Sequence, residues 1–125
     1  MKKVLVVDDS PLTRQLVVAA ARAVTGANAE FQEAGDGGAA LRLLAAHKYD
    51  LVVCDLNMPV LDGHALLARL RGMISHRTTP VIILSSLVND ANAAQLRAAG
   101  ANVVLKKPFT QQQIRDSLHK FGLVA

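Results

Sequence analysis

Acidic residues stand at the ends of two apolar runs in this chain. Asp8 and Asp9 follow the run 4–7, and Asp55 follows the run 51–54. A run that is apolar at every position is typical of a strand covered on both faces, as in a parallel sheet. Open α/β folds keep their binding sites at the carboxyl edge of such a sheet. If the two strands are neighbours, the sequence places three carboxylates at the mouth of one crevice.

Three neighbouring carboxylates suggest a cation site. Like charges that lie close together repel one another unless a cation neutralises them. Carboxylate oxygens suit a hard ion that keeps part of its water, such as Mg²⁺. The structural alternative is that Asp8 and Asp9 cap the first helix and that Asp55 is a turn residue. A single acid at a strand end is most often structural, whereas acids at the ends of two strands favour a metal site.

Ser85 and Lys107 follow two further apolar runs and bring a hydroxyl and an ammonium group to strand ends. Beside a carboxylate–metal cluster these two groups form a site for an anion, most simply a phosphoryl group. Mg²⁺ and one lysine balance three carboxylates, so a phosphoryl ester on one of them leaves excess negative charge. Ser85 is a candidate donor to that charge. Each residue alone also fits an ordinary serine at a strand end or a solvated lysine.

The elements that position these residues alternate regularly between strand and helix. Five apolar segments alternate with five helical patterns, without a low-complexity linker or an internal repeat. With right-handed crossovers, this order predicts an α/β fold, a doubly wound five-stranded parallel sheet with helices on both faces. The length predicts one domain, residues 1–125. Strands are predicted at residues 3–8, 29–34, 51–55, 81–85 and 102–106.

Each helical pattern follows a residue that caps helix N-termini well. These residues are Ser10, Asp36, Asp62, Asn89 and Thr110. Thr110 and Gln113 have the spacing of a capping box. In the first helix, the apolar positions that recur every four residues predict the buried stripe. They are Leu12, Leu16, Ala20 and Val24.

The composition argues against several kinds of site. Cys54 is the only cysteine, which excludes an internal disulfide framework and a multi-cysteine zinc site, and we expect a buried, reduced thiol in a cytosolic protein. One tyrosine and three phenylalanines are too few for an aromatic surface that stacks single-stranded nucleic acid. The net charge is +4, but the basic residues are scattered. A solvated surface therefore fits better than a nucleic-acid site, while a basic protein-binding face stays open.

No targeting or membrane segment is expected. The apolar runs are far shorter than the roughly 20 residues that a membrane span requires. Asp8 and Asp9 interrupt the first apolar run too early for a signal peptide. The sequence therefore predicts a cytoplasmic protein that binds neither nucleic acid nor a membrane.

Taken together, the motifs resemble the receiver domain of two-component response regulators, and the arrangement is CheY-like. The resemblance spans residues 3–121, and the order and spacing of its motifs make the set specific although each motif alone is weak. It implies the strand order 2-1-3-4-5. The motifs are Val7-Asp8-Asp9-Ser10, Asp55 with Asn57-Met58-Pro59 and Asp62-Gly63, Ser85, and Lys106-Lys107-Pro108-Phe109.

The resemblance assigns roles to the acidic residues. It implies that Asp55 is the phosphoacceptor nucleophile. It implies that Asp9 and Asp55 bind Mg²⁺ directly, together with the backbone carbonyl of Asn57. Asp8 is then expected to act on the ion through water.

The resemblance also assigns roles to the donors. Ser85 is expected to move toward the phosphoryl group and donate a hydrogen bond to it, and Lys107 to pair with it. Lys106 is the rival for this role, but the position next to Pro108 favours Lys107. The Lys107–Pro108 peptide bond is expected to be cis, which is credible because the second residue is proline.

One departure affects the expected readout. In the family an aromatic residue often stands on strand five where this chain has Val104. A shift of the loop 86–89 and repacking around Val104 are therefore expected to transmit the signal. Asn57 and Leu87 are expected to border the path of the attacking water and to influence the lifetime of the phosphoryl group.

The resemblance implies a sensor histidine kinase or phosphotransfer protein as donor and a downstream target protein, with a role in chemotaxis or motility as one option. The chain is expected to be a monomer or weak dimer, and not an enzyme beyond its own phosphoryl uptake and hydrolysis. A receiver domain excised from a larger regulator is the alternative. An aspartyl-phosphate phosphatase is disfavoured by Asn57, since a second Asp is expected there. A flavin binder is disfavoured by the acidic crevice and the lack of a stacking aromatic.

Overall fold

Five parallel strands form one sheet in the order 2-1-3-4-5 in the computed structural model, which describes residues 1–123. The predicted α/β class and strand order are confirmed. The first strand lies one residue earlier than predicted and the fifth begins one residue later, while the other three match. The last two residues of the predicted domain 1–125 lie outside the described residues. The strands are β1 (Lys2–Val7), β2 (Ala29–Ala34), β3 (Leu51–Asp55), β4 (Val81–Ser85) and β5 (Val103–Lys106).

Five α-helices connect or follow the strands, and each begins at its predicted cap. In every helix the side chain of the cap accepts a hydrogen bond from the backbone N–H three residues later. Such a cap contributes about 1 kcal/mol relative to alanine. None of the described helices is long and apolar enough to cross a membrane. The helices are α1 (Pro11–Thr25), α2 (Gly37–Ala46), α3 (Gly63–Arg71), α4 (Asp90–Ala98) and α5 (Gln111–Lys120).

The sheet has a hydrophobic core on each face because successive side chains of a strand point to opposite sides. On one face, residues such as Val52 and Cys54 pack with α2, α3 and α4. On the other face, residues such as Leu51 and Val53 pack with α1 and α5. All five residues of β3 are buried. The continuous apolar run therefore fixes β3 in the centre of the fold, and Asp55 with it.

The predicted buried stripe of α1 is wrong in its first half. Leu12 is 65% exposed and Leu16 is 54% exposed. A strict four-residue repeat advances by about 40° per step around a helix of 3.6 residues per turn, so Leu12 and Val24 lie on different faces of the helix and only Val24 is buried. Burial follows a mixed spacing of three and four residues. The buried residues are Val17, Val18, Ala21, Val24 and Thr25.

Candidate functional site

The carboxylates of Asp8, Asp9 and Asp55 meet at the carboxyl edge of the sheet. One oxygen of each lies within 4.8 Å of the others. β1 and β3 are adjacent and in register, with Val7 opposite Cys54, so the residues that follow reach the same level. Asp8 and Asp55 are 1% and 4% exposed, whereas Asp9 is exposed. The cluster is therefore anchored in the core and open to solvent on one side.

Lys107 completes the cluster. Its Nζ lies 3.1 Å from Asp8 Oδ2 and 3.1 Å from Asp55 Oδ1. Its backbone N–H donates to the carbonyl of Ser85 at 2.8 Å, which ties it to the end of β4. Lys106, the rival in the sequence, is exposed. The Lys107–Pro108 peptide is cis, as expected.

The charges of the cluster are not balanced by the described protein groups. Burial raises the pKa of Asp55, and the charge of Asp8 adds to this, although hydrogen bonds from Lys107 and from the N–H of Asn57 act in the opposite direction. Burial alone would lower the pKa of Lys107, but its bonds to Asp8 and Asp55 outweigh burial and raise it. Lys107 is therefore protonated and positively charged at neutral pH. One cation against three carboxylates leaves a site that attracts further positive charge.

Asp8 and Asp9 differ in how much of their carboxylate is engaged. Asp8 Oδ1 accepts a hydrogen bond from the N–H of Ser10 at 2.9 Å, and Oδ2 accepts one from Lys107 Nζ at 3.1 Å. The backbone N–H of Asp8 donates to the carbonyl of Ala34 at 3.1 Å. Asp9 is exposed to solvent instead, although one of its carboxylate oxygens lies within the cluster. The geometry therefore leaves Asp9 more available than Asp8 for direct contact with an ion.

Ser85 is held by its own loop. The hydroxyl is buried and donates to the carbonyl of Leu87 at 3.0 Å, while its oxygen accepts the N–H of Leu87 at 3.2 Å. Asn92 Nδ2, in the first turn of α4, donates to the same Leu87 carbonyl at 2.9 Å. Asn92 also forms a reciprocal capping box with Asn89. One carbonyl oxygen thus connects Ser85 to the start of α4.

The loop after β3 folds tightly against Asp55. A Cβ atom on Gly63 would lie 2.8 Å from the Asp55 carbonyl oxygen and 2.8 Å from Leu56 Cα, so only glycine fits there. The N–H of Gly63 donates to the carbonyl of Leu56 at 2.8 Å. Asn57 is exposed within this loop. The use of its carbonyl as a metal ligand stays a prediction.

Three other residues named in the sequence are placed as follows. Leu87 is 68% exposed. Val104 is buried in β5 opposite Ile83 and belongs to the core that contains α2, α3 and α4. Cys54 is buried, and burial followed by the charge of Asp55 raises its pKa, so the thiol stays protonated and donates to the Asp55 carbonyl. Cys54 is therefore a structural residue rather than a nucleophile.

Two residues of this site were not found from the sequence. Arg14 donates a hydrogen bond to the backbone carbonyl of Asp8 at 2.7 Å, and Asn92 binds the Leu87 carbonyl. Asn92 stands three residues after the cap Asn89, which is the spacing of a capping box, but the usual residue at that position is Glu or Gln. The reach of Arg14 back to the loop before its helix had no comparable signal.

Comparison with known proteins identifies the same family at the level of sequence and structure. The family model described as "Response regulator receiver domain" matches residues 4–119. The two-component response regulator ORR41 of Oryza sativa subsp. japonica is 37% identical over 125 residues, which cover 98% of this chain and 96% of that protein. The matched residues 4–119 include all three acids, Ser85 and Lys107.

Two solved structures have the same fold over nearly their whole length. The chemotaxis protein CheY4 of Vibrio cholerae has a TM-score of 0.87 and 30% identity, with 97% of this chain and 98% of that chain covered. The receiver domain of the sensor histidine kinase PA1611 from Pseudomonas aeruginosa PAO1 has a TM-score of 0.83 and 26% identity, with 97% and 98% covered. That receiver domain was solved with a magnesium ion coordinated in its active site cleft.

Proposed function

This chain belongs to the response regulator receiver domain family, and we propose that it is a phosphorylation-gated switch whose phosphoacceptor is Asp55. One observation carries the proposal. The Asp55 carboxylate lies 3.1 Å from the Lys107 ammonium and within 4.8 Å of the carboxylates of Asp8 and the exposed Asp9. A nucleophile, a cation site and a fixed ammonium are the groups that phosphoryl transfer to a carboxylate requires.

The donor set fits Mg²⁺. It consists of carboxylate oxygens, is open to water on the side of Asp9, and keeps a net negative charge after Lys107 is counted. We assign Asp9, Asp55 and the backbone carbonyl of Asn57 as direct ligands, and Asp8 as a contact through water. The two hydrogen bonds that already occupy the Asp8 oxygens support the indirect assignment. When bound, the ion supplies positive charge that neutralises the phosphoryl oxygens.

The side chains of the site divide the transfer step among them. An Asp55 carboxylate oxygen attacks phosphorus in line, the new O–P bond forms, and the bond from phosphorus to the donor breaks with its electron pair leaving on the donor. Lys107 Nζ pairs with a phosphoryl oxygen from its place beside Asp55 Oδ1. The Ser85 hydroxyl exchanges the Leu87 carbonyl for another phosphoryl oxygen.

The movement of Ser85 provides a route to α4. When the hydroxyl turns toward the phosphoryl group, the Leu87 carbonyl keeps the hydrogen bond from Asn92. The loop 86–89 then follows the new position of Ser85 while still attached to α4. We propose that this route replaces rotation of an aromatic residue at Val104, and that added charge at Asp55 biases a partner surface around α4, β5 and α5.

The partners and setting form part of the proposal. A sensor histidine kinase or a phosphotransfer protein donates the phosphoryl group, and a downstream protein recognises the switched surface. The similarity to a chemotaxis protein supports a role in chemotaxis or motility. The proposal includes a cytoplasmic, monomeric or weakly dimeric receiver within residues 1–125, alone or as part of a larger regulator. The chemistry that the chain catalyses is limited to its own phosphoryl uptake and hydrolysis.

The experiment is stoichiometric labelling with a small phosphodonor. Wild-type protein with Mg²⁺ should take up one acid-stable, base-labile phosphoryl group, and chelation of the metal should prevent uptake. Asp55→Asn should take up none, while Asp116→Asn, which removes the same charge from the exposed face of α5, should behave like wild type. Label retained in Asp55→Asn contradicts the assignment. Steady release of phosphate from an added phosphoester would indicate a phosphatase instead.

A further inference from the structure

Arg14, on the second turn of α1, contacts the loop that carries the acidic cluster. Its Nη1 donates to the backbone carbonyl of Asp8 at 2.7 Å, and its Nε donates to Glu33 Oε1 at 3.0 Å. The Arg14 side chain is 18% exposed, whereas that of Glu33 is 43% exposed. Because a guanidinium group presents its donors in a fixed planar fork, the bond to Glu33 orients the bond to Asp8.

The carbonyl that Arg14 holds belongs to the peptide group that joins Asp8 to Asp9. This peptide group is planar, so fixing its oxygen fixes the direction in which the backbone enters Asp9. Asp8 is also held by its own N–H and by both of its side-chain oxygens. Asp9, by contrast, is exposed. Its place in the cluster therefore depends on the backbone that precedes it.

We propose that Arg14 is a positioning residue for the metal site, which holds Asp9 at the cluster through the Asp8 carbonyl. Glu33 keeps the guanidinium in place and balances its charge. The inference rests on the proposed function, since it requires that Mg²⁺ binds among Asp8, Asp9 and Asp55. Outer residues that orient metal ligands affect metal affinity although they never contact the ion.

Two roles of Arg14 can be told apart by experiment, because a positioning role and a purely electrostatic role predict opposite changes in Mg²⁺ affinity when Arg14 is replaced. A positive charge near a cation site repels the cation, so a purely electrostatic role predicts that Arg14→Gln binds Mg²⁺ more tightly. A positioning role predicts weaker binding, since Asp9 is no longer held in place. The sign of the change in Kd therefore separates the two accounts.

The test is calorimetric titration of the full chain with Mg²⁺, with thermal unfolding in EDTA to set a temperature at which every variant is folded. Arg14→Gln should raise the Kd by about tenfold. Arg14→Lys keeps the charge and one donor but loses the planar fork, so its Kd should be intermediate. Arg115→Gln is the matched control, because it removes an exposed arginine from α5, and its Kd should equal that of wild type.

Each other outcome overturns a specific statement. Equal or tighter binding by Arg14→Gln overturns the positioning role. An Arg14→Lys variant that binds like wild type does the same if Arg14→Gln does not fold. A similar loss in Arg115→Gln would show that the effect is not specific to position 14 and would also overturn it. Wild-type protein that binds no Mg²⁺ would overturn the proposed metal site, and this inference with it.

Discussion

Replacing Asp55 by Asn is expected to stabilise the metal-free protein, although it removes the phosphoacceptor. Asp55 is 4% exposed, and burial raises its pKa. A group whose pKa is raised on folding contributes stability below its unfolded pKa and loses that contribution as the pH rises through the folded pKa. At pH 7 the ionised carboxylate therefore costs folding free energy. Asparagine has nearly the same shape without the charge.

The size of the effect follows from opposing charge terms. At an effective dielectric constant of about 20, two unit charges at 4.8 Å, the upper limit of the separations in the cluster, repel by about 3.5 kcal/mol, and the pair with Lys107 at 3.1 Å attracts by about 5 kcal/mol. The Lys107 side chain is 25% exposed, which weakens the attraction by screening. The raised pKa of Asp55 means that burial and repulsion together outweigh the attraction. We expect a net gain on the order of 1 kcal/mol, or about 4 °C in Tm for a domain of this size.

Mg²⁺ should reverse the order of the Tm values of the wild-type protein and Asp55→Asn. An ion that binds only the folded state at one hundred times its Kd stabilises by about 2.7 kcal/mol. Asp55→Asn has lost one of the carboxylates, so it should gain less. The variant should melt higher in EDTA and lower in saturating Mg²⁺, so that the two Tm curves cross.

The assay is thermal unfolding at pH 7 over a Mg²⁺ series, with Asp116→Asn as the control for loss of one negative charge. Asp116 lies on the exposed face of α5, so this variant should follow the wild-type Tm curve. A lower Tm for Asp55→Asn in EDTA would refute the argument from burial and charge. Parallel curves at all Mg²⁺ concentrations would refute the assignment of Asp55 as a metal ligand.

Three further predictions concern the groups around Asp55. Lys107→Met removes a hydrogen bond that lowers the pKa of Asp55, so the acid limb of the pH profile for phosphoryl uptake should move to higher pH, measured as initial rates. Gly63→Ala places a Cβ 2.8 Å from the Asp55 carbonyl oxygen, so it should lower the free energy of unfolding by about 2 kcal/mol, measured by denaturant titration. Gly72→Ala is the control: its Cβ would meet only contacts of 3.4 Å or more, so it should lower the free energy of unfolding by less. Asn92→Ala should leave phosphoryl uptake intact but reduce the phosphorylation-dependent change in hydrogen exchange across α4, and an unchanged response would contradict the route through Leu87.

The positions of the acids could be predicted because they depend on chain topology. A strand that is apolar on both faces must lie inside the sheet, and the residue after its last apolar position must then emerge at the carboxyl edge. For neighbouring strands this reasoning places Asp8 and Asp55 at the same edge, and the structure has their carboxylates within 4.8 Å of each other. It also required the strand order, which came from the resemblance to receiver domains and is confirmed. Pro108 likewise allowed Lys107 to be chosen over Lys106 as the lysine of the site, because Lys107 is the residue directly before the proline.

The remaining features depend on the rotation of helices and the reach of long side chains. Leu12 and Leu16 fit a four-residue repeat, but the rotation of α1 against the sheet leaves both exposed. Arg14 reaches the Asp8 carbonyl only because α1 starts at the end of β1 and Glu33 lies beside it on β2. Such contacts join residues whose spacing in the sequence carries no periodic signal.

Chemical mapping of the phosphorylated residue tests the central claim most directly. Borohydride reduces an aspartyl phosphate to homoserine, which peptide mass spectrometry locates to a single position. After treatment with a small phosphodonor and Mg²⁺, we predict homoserine at position 55 and aspartate at positions 8, 9 and 62. Homoserine at one of those other positions, or unmodified aspartate at 55 in protein that has taken up a phosphoryl group, would contradict the account.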